Sequence, residues 1–427
     1  MANLNQPTFV DLFAGCGGLS LGLEQAGFKP VYVNELNPDA LATYQVNRAS
    51  EYPYLLDDSF YSHDVKKLVV DADQLNALKT TLKTFHGIDV DGRGRDLDLL
   101  VGGPPCQGYS GIGHRRSYSV DKKQLISNHL YQDMAFLISQ LKPRLFLFEN
   151  VRGLLNSRWT PQGNKGEIWE DVRGTFENLE EYSVRHKLVF AKDYGVPQNR
   201  PRVLLVGIRN DLNFEFKDND ENYLAGGLLP NPSNYPTTPP HLEDLLSDLI
   251  DPNHSNGGKT ETYPTEPQNE VQSKFRMDRT GQVFRKGDPL TEQEYSKHSP
   301  HVRKKFQYMI QNNGQIPPEF QTKKFSQKVL KPIWHQNGPN ITVTSLPDDY
   351  VHWAQPRSLT VREWARLQTF PDWYKFVGKR TTGGIRRAGN PRKAIHFREV
   401  PKYTQIGNAV PVQLANIVGA HFRNLID

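Results

Sequence analysis

Cysteine is almost absent from this chain: only Cys16 and Cys106 occur among 427 residues. Two cysteines cannot build a disulfide framework, and no paired Cys/His spacing typical of a metal site is present. Long apolar runs are also lacking, since none approaches the roughly 20 residues that a membrane-spanning helix needs. The N-terminal stretch MANLNQPTFVDLFAG has no basic region followed by an apolar one, so we expect no secretory signal. These absences favour a reduced, cytoplasmic protein without a metal centre or a membrane anchor.

Charge is modest overall but unevenly distributed. The net formal charge is +5. Residues 212–270 carry eleven acidic and two basic side chains, residues 271–335 carry five and thirteen, and residues 357–404 carry three and twelve. Any one basic run can be a solvated surface, yet two such blocks favour a polyanion as partner. The second half of the chain is therefore the predicted nucleic-acid surface.

Short apolar runs alternate with helix-like segments over roughly the first 210 residues. The predicted strands are TFVDLFAG, PVYVNE, DLDLLVGG, RLFLFENV and RPRVLLVGIR, and the predicted helices are LSLGLEQAGF, DALATYQVN and YQDMAFLISQLKP. Continuous apolar strands between helices are typical of a parallel sheet covered on both faces. We predict an α/β fold with a doubly wound, mostly parallel, Rossmann-like sheet.

The composition changes at Leu212. Proline, asparagine and serine become frequent in LLPNPSNYPTTPPHLEDLLSDLIDPNHSNGG around one short helix, and little periodicity follows before Tyr350. A helix is then predicted in LTVREWARLQTF, and QIGNAVPVQLANIVGAHF returns to the loop-then-helix pattern of the first domain. We predict one domain from residues 1–211 plus 400–427 and a smaller, irregular second domain from 212–399.

Three glycines, Gly15, Gly17 and Gly18, lie between the first predicted strand and helix in DLFAGCGGLSLGLEQAGF. Glycine permits a tight turn and a close approach of the backbone to a ligand. Glu35 ends the next strand 20 residues beyond Gly15, where a Rossmann-type site places the carboxylate that accepts ribose hydroxyls. The spacing is not GxGxxG and no P-loop lysine follows, so a nucleoside cofactor without a pyrophosphate, such as S-adenosylmethionine, suits the loop. A tight turn without a ligand is the alternative.

The stretch GGPPCQGYS places Cys106 after two prolines at the end of a predicted strand. This is the edge at which open α/β sheets bind ligands. Most lone cysteines are inert small hydrophobes, and a thiol needs positive charge or hydrogen bonds nearby to react at neutral pH. The position and the flanking sequence favour a nucleophile over a packing residue.

Further polar groups belong to the same predicted edge. Glu149 in ENV can hydrogen-bond or protonate a ring nitrogen of a bound base, although a helix cap or a salt bridge is the alternative. The stretch QNRPR adds Gln198, Arg200 and Arg202 before another strand. Alternation puts the two arginines on one face, where they could hold an anion or orient Glu149 and a base carbonyl.

These stretches, in this order, resemble the DNA (cytosine-5) methyltransferases. DLFAGCGG is similar to the family's cofactor loop, GGPPCQGYS to its nucleophile motif, ENV to its carboxylate motif and QNRPR to its QxRxR element. RSLTVREWARLQTFPD and QIGNAVP resemble its late motifs. The resemblance spans almost the whole chain except about 212–340, where the family has its divergent target-recognition region. The departures are small. Val412 stands where the family has proline, and the segment before NHLYQD is a few residues longer than in the family.

The resemblance implies a mechanism and a cofactor. The target cytosine is flipped from double-stranded DNA, the Cys106 thiolate attacks C6, and Glu149 contacts N3 and the amino group. Arg200 and Arg202 support this site, and S-adenosyl-L-methionine donates the methyl group. The implied cofactor-binding residues are Phe13 on the adenine, Glu35 on the ribose, Asp64 on the adenine amino group, and Gly15, Gly17, Gly18, Leu19, Leu36, Val65, Asn408 and Val410. The chain would then act in bacterial restriction–modification as a monomer, beside a separate cognate endonuclease.

DNA contacts are predicted from residue chemistry. Arginine and glutamine suit base edges, and clustered Lys/Arg suit phosphates. The candidates for base reading are Gln272, Arg276, Arg279, Gln282 and Arg285. The candidates for phosphate contact are Arg303, Lys304, Lys305, Arg386 and Arg387, and Gln107 and Ser110 beside Cys106 complete the set.

Three alternatives differ in what they require. A related branch of the family methylates transfer RNA and carries an additional cysteine-containing motif in the variable region, but no cysteine follows Cys106 here. A catalytically dead regulator would not need Cys106, Glu149 and Arg202 together. A nicotinamide oxidoreductase would need a pyrophosphate loop, which this sequence lacks.

Overall fold

A computed structural model describes residues 6–92, 94–105, 128–235, 238–321, 327–333, 349–382 and 399–426. Contacts divide the chain into two compact units. The first comprises Met1–Asp193, Pro201–Tyr235 and Leu414–Asp427, and the second comprises Tyr194–Arg200 and Pro236–Gln413. The first unit thus continues past the composition change at Leu212. The division of function at 212 and 400 stays a prediction.

A seven-stranded sheet forms the centre of the first unit, in the order β3-β2-β1-β4-β5-β7-β6. Strands β1 to β5 run parallel, and β7 is antiparallel to both β5 and β6. The doubly wound, mostly parallel fold is confirmed. The strands are β1 (Thr8–Leu12), β2 (Lys29–Asn34), β3 (Tyr61–Ser62), β4 (Leu99–Gly102), β5 (Leu145–Val151), β6 (Tyr182–Phe190) and β7 (Pro201–Arg209).

The central strands are buried because helices cover the sheet. Every residue of β1 and β4 is buried, as continuous apolar strands require. The helices of this unit are α1 (Gly18–Gln25), α2 (Pro38–Val46), α3 (Val65–Val70), α4 (Ala72–His86), α5 (Leu130–Leu141) and α6 (Glu167–Glu177). Apolar residues of α3 to α6 form one core with the sheet, and residues of α2 pack with Val33 in a second cluster.

The second unit contains short elements and long connections. They are α7 (Leu242–Leu246), α8 (Glu270–Arg276), α9 (Pro300–Gln311), β8 (Lys328–Val329), β9 (Tyr350–Val351), α10 (Val361–Leu367) and α11 (Lys402–Asn408). The last helix, α12 (Val412–Ile426), begins here and continues into the first unit. The helix predicted in LTVREWARLQTF is confirmed, whereas QIGN, predicted as a loop, is the end of α11. No helix within the described ranges is long and apolar enough to cross a membrane.

Buried ion pairs take the place of part of an apolar core in the second unit. Arg366 contacts Asp248 and Asp372, each at 2.6 Å, and Arg357 contacts Glu363 at 2.6 Å. All five side chains are almost completely buried. Breaking one such pair leaves an uncompensated charge, so these basic residues are structural.

Candidate active site

The register of the parallel strands brings the predicted residues to one edge of the sheet. It aligns one residue from each of four strands, namely Asn34, Leu12, Gly102 and Phe148. The next residues along these strands are Glu35, Phe13, Gly103 and Glu149, which follow at the carboxyl edge. The strand order reverses between β1 and β4, and open α/β sheets bind ligands at such a switch point.

The glycine loop after β1 is held in an unusual backbone conformation. The φ angles of Phe13, Gly15 and Gly17 are 60°, 57° and 83°. A non-glycine residue with positive φ costs roughly 1–3 kcal/mol and persists where its surroundings enforce it. Here Ala14 N–H donates to Asn34 O at 3.0 Å and Gly17 N–H donates to Ala14 O at 3.0 Å. The loop is therefore a preformed concave turn, as close approach of a ligand requires.

Glu35 faces this loop as its spacing from Gly15 predicts. Its Oε2 accepts from Gly15 N–H at 2.8 Å and its Oε1 accepts from Asn37 N–H at 2.7 Å. Burial raises the pKa of the carboxyl group, and the two backbone hydrogen bonds oppose that rise. Each carboxylate oxygen has a second lone pair, so two ribose hydroxyls can still donate to it.

The other predicted cofactor residues differ in exposure. Leu36 is 70% exposed, which leaves an apolar surface beside Glu35. Asp64 caps α3 through an Oδ1 bond from Lys66 N–H at 3.0 Å. The side chain of Val65 belongs to the core, so it offers a ligand its N–H in the first helical turn rather than its side chain. Leu19 is buried in α1; in the second unit Asn408 is exposed and Val410 is buried.

The segment that leads to Cys106 lies against β5. A Cβ atom on Gly103 would meet Glu149 Oε2 at 3.0 Å, so glycine permits this approach. Asn150 Nδ2 donates to Pro104 O at 3.2 Å. The last described residue is Pro105, and Cys106, Gln107 and Ser110 lie outside the described residues. Asn150 belongs to the quoted ENV stretch, but the sequence did not predict this contact with the segment before Cys106.

Glu149 and Arg202 form a buried ion pair across β5 and β7. Arg202 lies opposite Val151 in the antiparallel register, which makes it the diagonal neighbour of Glu149. The guanidinium Nε contacts carboxylate Oε1. Burial lowers the pKa of Arg202 and the carboxylate opposes that change. Arg202 can therefore hold Glu149 in one orientation.

Arg200 has different partners from Arg202. Its guanidinium is buried and donates to Gly407 O at 2.7 Å and Ala409 O at 3.0 Å. These contacts place Arg200 on the segment that carries Asn408. That Arg200 also holds an anion or orients a base carbonyl stays a prediction. The neighbouring Gln198 is buried as well and donates to Leu367 O at 2.7 Å.

Two residues predicted to read bases are buried instead. Arg276 is 0% exposed, and its Nε donates to Asp248 Oδ2 at 2.7 Å. Its guanidinium also lies over the ring of Tyr263 at 3.9 Å. Gln272 is equally buried and donates to Ser247 Oγ at 2.9 Å. The prediction of base contact is therefore wrong for Arg276 and Gln272, because both side chains are used inside the unit.

The other basic candidates differ from these. Arg279, Arg285, Arg303 and Lys304 are exposed. Lys305 is half-buried, donates to Gln327 Oε1 at 2.6 Å and has its pKa lowered by burial, so it suits a phosphate contact less well than Lys304. Arg386 and Arg387 lie outside the described residues.

Comparison with known proteins adds independent findings. A family described as C-5 cytosine-specific DNA methylase matches residues 7–424. The Type II methyltransferase M.DdeI of Desulfomicrobium norvegicum is 29% identical over 414 residues, covering 95% of this chain and 86% of the relative. M1.HphI of Haemophilus parahaemolyticus is 28% identical over 417 residues, covering 96% and 85%. A crystal structure described as a DNA modification methyltransferase encoded within an E. coli prophage has a TM-score of 0.65 and 24% identity, covers 98% of this chain and 99% of its own, and is similar in fold.

Proposed function

Because this chain belongs to the C-5 cytosine-specific DNA methylase family, and is thus a DNA (cytosine-5) methyltransferase, we propose how it performs the reaction. A cytosine is flipped out of a specific duplex sequence, Cys106 forms a covalent bond to C6, and C5 receives the methyl group of S-adenosyl-L-methionine. The observation that supports this best is the packing of Gly103 and Pro104, which lead to Cys106, against Glu149 and Asn150.

The residues at the glycine loop fit S-adenosyl-L-methionine. The loop has a preformed turn without phosphate-binding features, Glu35 offers acceptor oxygens for the ribose, and exposed Leu36 offers an apolar surface for the adenine. Asp64 retains acceptor capacity for the adenine amino group. When bound, the cofactor supplies an electrophilic methyl group that an activated C5 can accept.

Each protein group has a definite task on the cytosine. The Cys106 thiolate adds to C6, which forms the C6–S bond and pushes electron density towards C5. Glu149 donates a hydrogen bond or proton at N3, so the ring can carry this density, and Arg202 keeps the carboxyl group oriented. After methylation, the C5 proton passes to solvent water and the thiolate leaves C6, and any proton on N3 returns to Glu149, which restores the aromatic ring. The covalent route divides one difficult substitution into easier steps.

Sequence reading is assigned to a hairpin that follows α8. Met277 pairs with Val283, and Asp278 N–H donates to Gln282 O at 2.8 Å. Asp278 Oδ1 accepts from Thr280 N–H at 2.8 Å and from Gln282 N–H at 3.0 Å, which fixes the turn. The buried Arg276 anchors its base. Arg279 and Gln282 are exposed at the turn, where they suit guanine and adenine edges.

A role in restriction–modification follows from the named relatives. Both are Type II methyltransferases. We infer that methylation by this chain protects a recognition site from a separate cognate endonuclease. Double-stranded DNA is the substrate in this proposal, and the protein acts as a monomer.

Methyl transfer from tritiated S-adenosylmethionine tests the function directly. Duplex DNA, single-stranded DNA and transfer RNA are offered in parallel, and bisulfite sequencing locates the product. We expect label in duplex DNA at one cytosine of a short recurring sequence. Label in transfer RNA alone would support the related branch of the family, and cofactor binding without transfer would support a regulator.

Glu35→Ala is expected to weaken cofactor binding by about 1–3 kcal/mol, the cost of leaving a buried hydrogen-bonding group without its partner. The carboxylate also orients the glycine loop through Gly15 N–H, so its loss acts on the same site twice. Calorimetry measures the cofactor Kd, and a filter assay measures DNA affinity, which should not change. An unchanged cofactor Kd would contradict the ribose assignment.

Substitutions of the exposed candidate residues should produce two different phenotypes. Arg279→Ala and Gln282→Ala are expected to change which sites are methylated, each lost bidentate contact costing about 1–3 kcal/mol of discrimination. Lys304→Ala should weaken binding to all DNA and lower the log–log salt slope by about 0.9. The measurement is methylation of a randomised duplex library, with Lys187→Ala as an exposed basic control that belongs to neither candidate set. Uniformly lower activity with unchanged site preference in the hairpin variants would place recognition elsewhere.

A further inference from the structure

A buried arginine that the mechanism does not use contacts the cofactor loop. Arg48 follows the C-terminal end of α2 and is 0% exposed. Its Nη2 donates to Gly17 O at 3.2 Å, its Nη1 donates to Tyr44 O at 3.0 Å, and its Nε donates to Glu24 Oε1 at 2.7 Å. The guanidinium also lies 3.7 Å from the centre of the Tyr44 ring. The side chain therefore joins the loop to both α1 and α2.

The contact between Arg48 and Gly17 lies at the junction of the glycine loop and α1. Gly17 is the N-cap residue of α1 and has a φ of 83°, so the loop passes into the helix through a left-handed turn. Its carbonyl oxygen also accepts the first helical bond from Leu21 N–H at 2.9 Å. A charged donor on this oxygen restrains the orientation of the Gly17 peptide, and hence of the glycine loop before it. Lysine could not keep the same set of contacts, because it lacks the planar, multidentate guanidinium.

Arg48 and Glu35 hold the loop from the two ends of the α2 segment. Glu35 precedes α2 and accepts from Gly15 N–H at 2.8 Å, whereas Arg48 follows α2 and donates to Gly17 O. The Glu35 carboxylate thus accepts a hydrogen bond from the loop, and the Arg48 guanidinium donates one to it. Residues on both sides of α2 therefore hydrogen-bond to the loop, and one of these residues, Glu35, is the proposed ribose ligand.

A second buried layer links the same residues to β1. Ser20 Oγ donates to Asp11 Oδ2 at 2.5 Å and lies 2.9 Å from the hydroxyl of Tyr44. Asp11 is buried just before Phe13, and burial raises its pKa to about 7, which the positive charge of Arg48 opposes. The residues around the loop therefore include the acidic groups Asp11, Glu24 and Glu35. A guanidinium among them offsets part of their repulsion.

We propose that Arg48 is a positioning residue for the cofactor site, which keeps the glycine loop in its binding conformation before the cofactor arrives. Burying a guanidinium is unfavourable unless its partners compensate, and here one partner is the cofactor loop itself. The consequence is specific: loss of Arg48 weakens cofactor binding and leaves DNA binding unaffected. This proposal rests on the proposed function, since it takes the loop to be the S-adenosylmethionine site.

The test compares Arg48→Met and Arg48→Lys with the parent protein. Calorimetry gives the Kd for S-adenosylmethionine and for S-adenosylhomocysteine, at a temperature where circular dichroism shows every variant folded. Steady-state assays give separate KM values for cofactor and DNA, and kcat at saturation. For Arg48→Met we expect both Kd values and the cofactor KM to rise about tenfold or more, the scale of a lost hydrogen bond to a charged group, with the DNA KM unchanged. Arg48→Lys should recover part of this loss.

Arg357→Met is the matched control, because Arg357 is a buried arginine in an ion pair of the second unit. It should lower the Tm and leave the cofactor Kd within twofold. Parent-like cofactor binding by Arg48→Met, or an equal loss of cofactor binding in Arg357→Met, would show that Arg48 is merely structural. If Arg48→Met does not fold, Arg48→Lys carries the test with the same readouts. A parent protein that methylates DNA retains the proposed function whatever the Arg48 result, whereas a parent without cofactor binding would overturn both proposals.

Discussion

Cys106→Ser is expected to abolish methyl transfer and to leave S-adenosylmethionine binding nearly unchanged. A serine hydroxyl is a far poorer nucleophile than a thiolate at neutral pH, so the addition to C6 should fail while the cofactor loop stays intact. The motif GGPPCQGYS motivates the prediction, and the described part of it already lies against Glu149 and Asn150. Tritium transfer to duplex DNA and calorimetry with the cofactor measure the two effects. A tenth of the parent turnover in the variant would contradict the covalent mechanism.

A duplex with 5-fluorocytosine at the target provides the complementary measurement. Fluorine cannot leave C5 as a cation, so the last elimination is blocked and the protein should stay attached to DNA through Cys106. A denaturing gel should show this adduct for the parent and not for Cys106→Ser. Peptide mapping that placed the bond on another residue would move the nucleophile there.

Glu149→Gln is expected to lower kcat by about 10²–10⁴-fold, the usual contribution of a positioned general acid. The amide cannot deliver a proton to N3, and it leaves the Arg202 guanidinium without its carboxylate partner. Some loss of stability should accompany the change, because one member of a buried ion pair is neutralised. Single-turnover assays with cofactor and DNA both saturating isolate the chemical step from binding.

Glu363→Gln is the matched control for that experiment. It neutralises the partner of Arg357 in the second unit, in a pair that is even more buried than Glu149–Arg202. We expect the control to lower the Tm without a comparable loss in kcat. If Glu149→Gln kept half of the parent kcat, or if the control lost as much, Glu149 would have no direct part in the chemistry.

The sheet and its active edge could be predicted from sequence because the central strands are buried on both faces. A strand in that position is a largely apolar run: β4 and the first four residues of β5 are such runs, and β1 is apolar except for the buried Thr8 and Asp11. The polar residues that follow such runs in a parallel sheet must meet at one edge. Glu35 illustrates this, since its spacing from Gly15 predicted a site shared with the glycine loop, and in the structure its carboxylate accepts from Gly15 N–H.

Elements without such runs were missed. Strand β6 lies at the sheet edge and is largely half-buried or exposed, so polar residues interrupt its apolar ones in YSVRHKLVF. Helix α9 has two fully buried side chains, Phe306 and Met309, and little apolar pattern otherwise. Strand β6 and helix α9 are stabilised by contacts with other elements of the fold, and a local sequence pattern does not show such contacts.

The sequence by itself determined the fold class, the order of the motifs and the chemistry available at the sheet edge, because backbone alternation and apolar burial are local constraints. Only the tertiary structure decided which charged residues are available for binding. Arg276 was predicted to contact DNA but is buried and donates to Asp248, 28 residues away. Arg48 belongs to no motif in the sequence, yet it donates to Gly17 O, 31 residues away. The arginine side chain is the same group whether it binds a ligand at the surface or is buried in the fold. Its role depends on whether a distant carboxylate or carbonyl is folded against it, since burial of a charge is tolerated only with such partners.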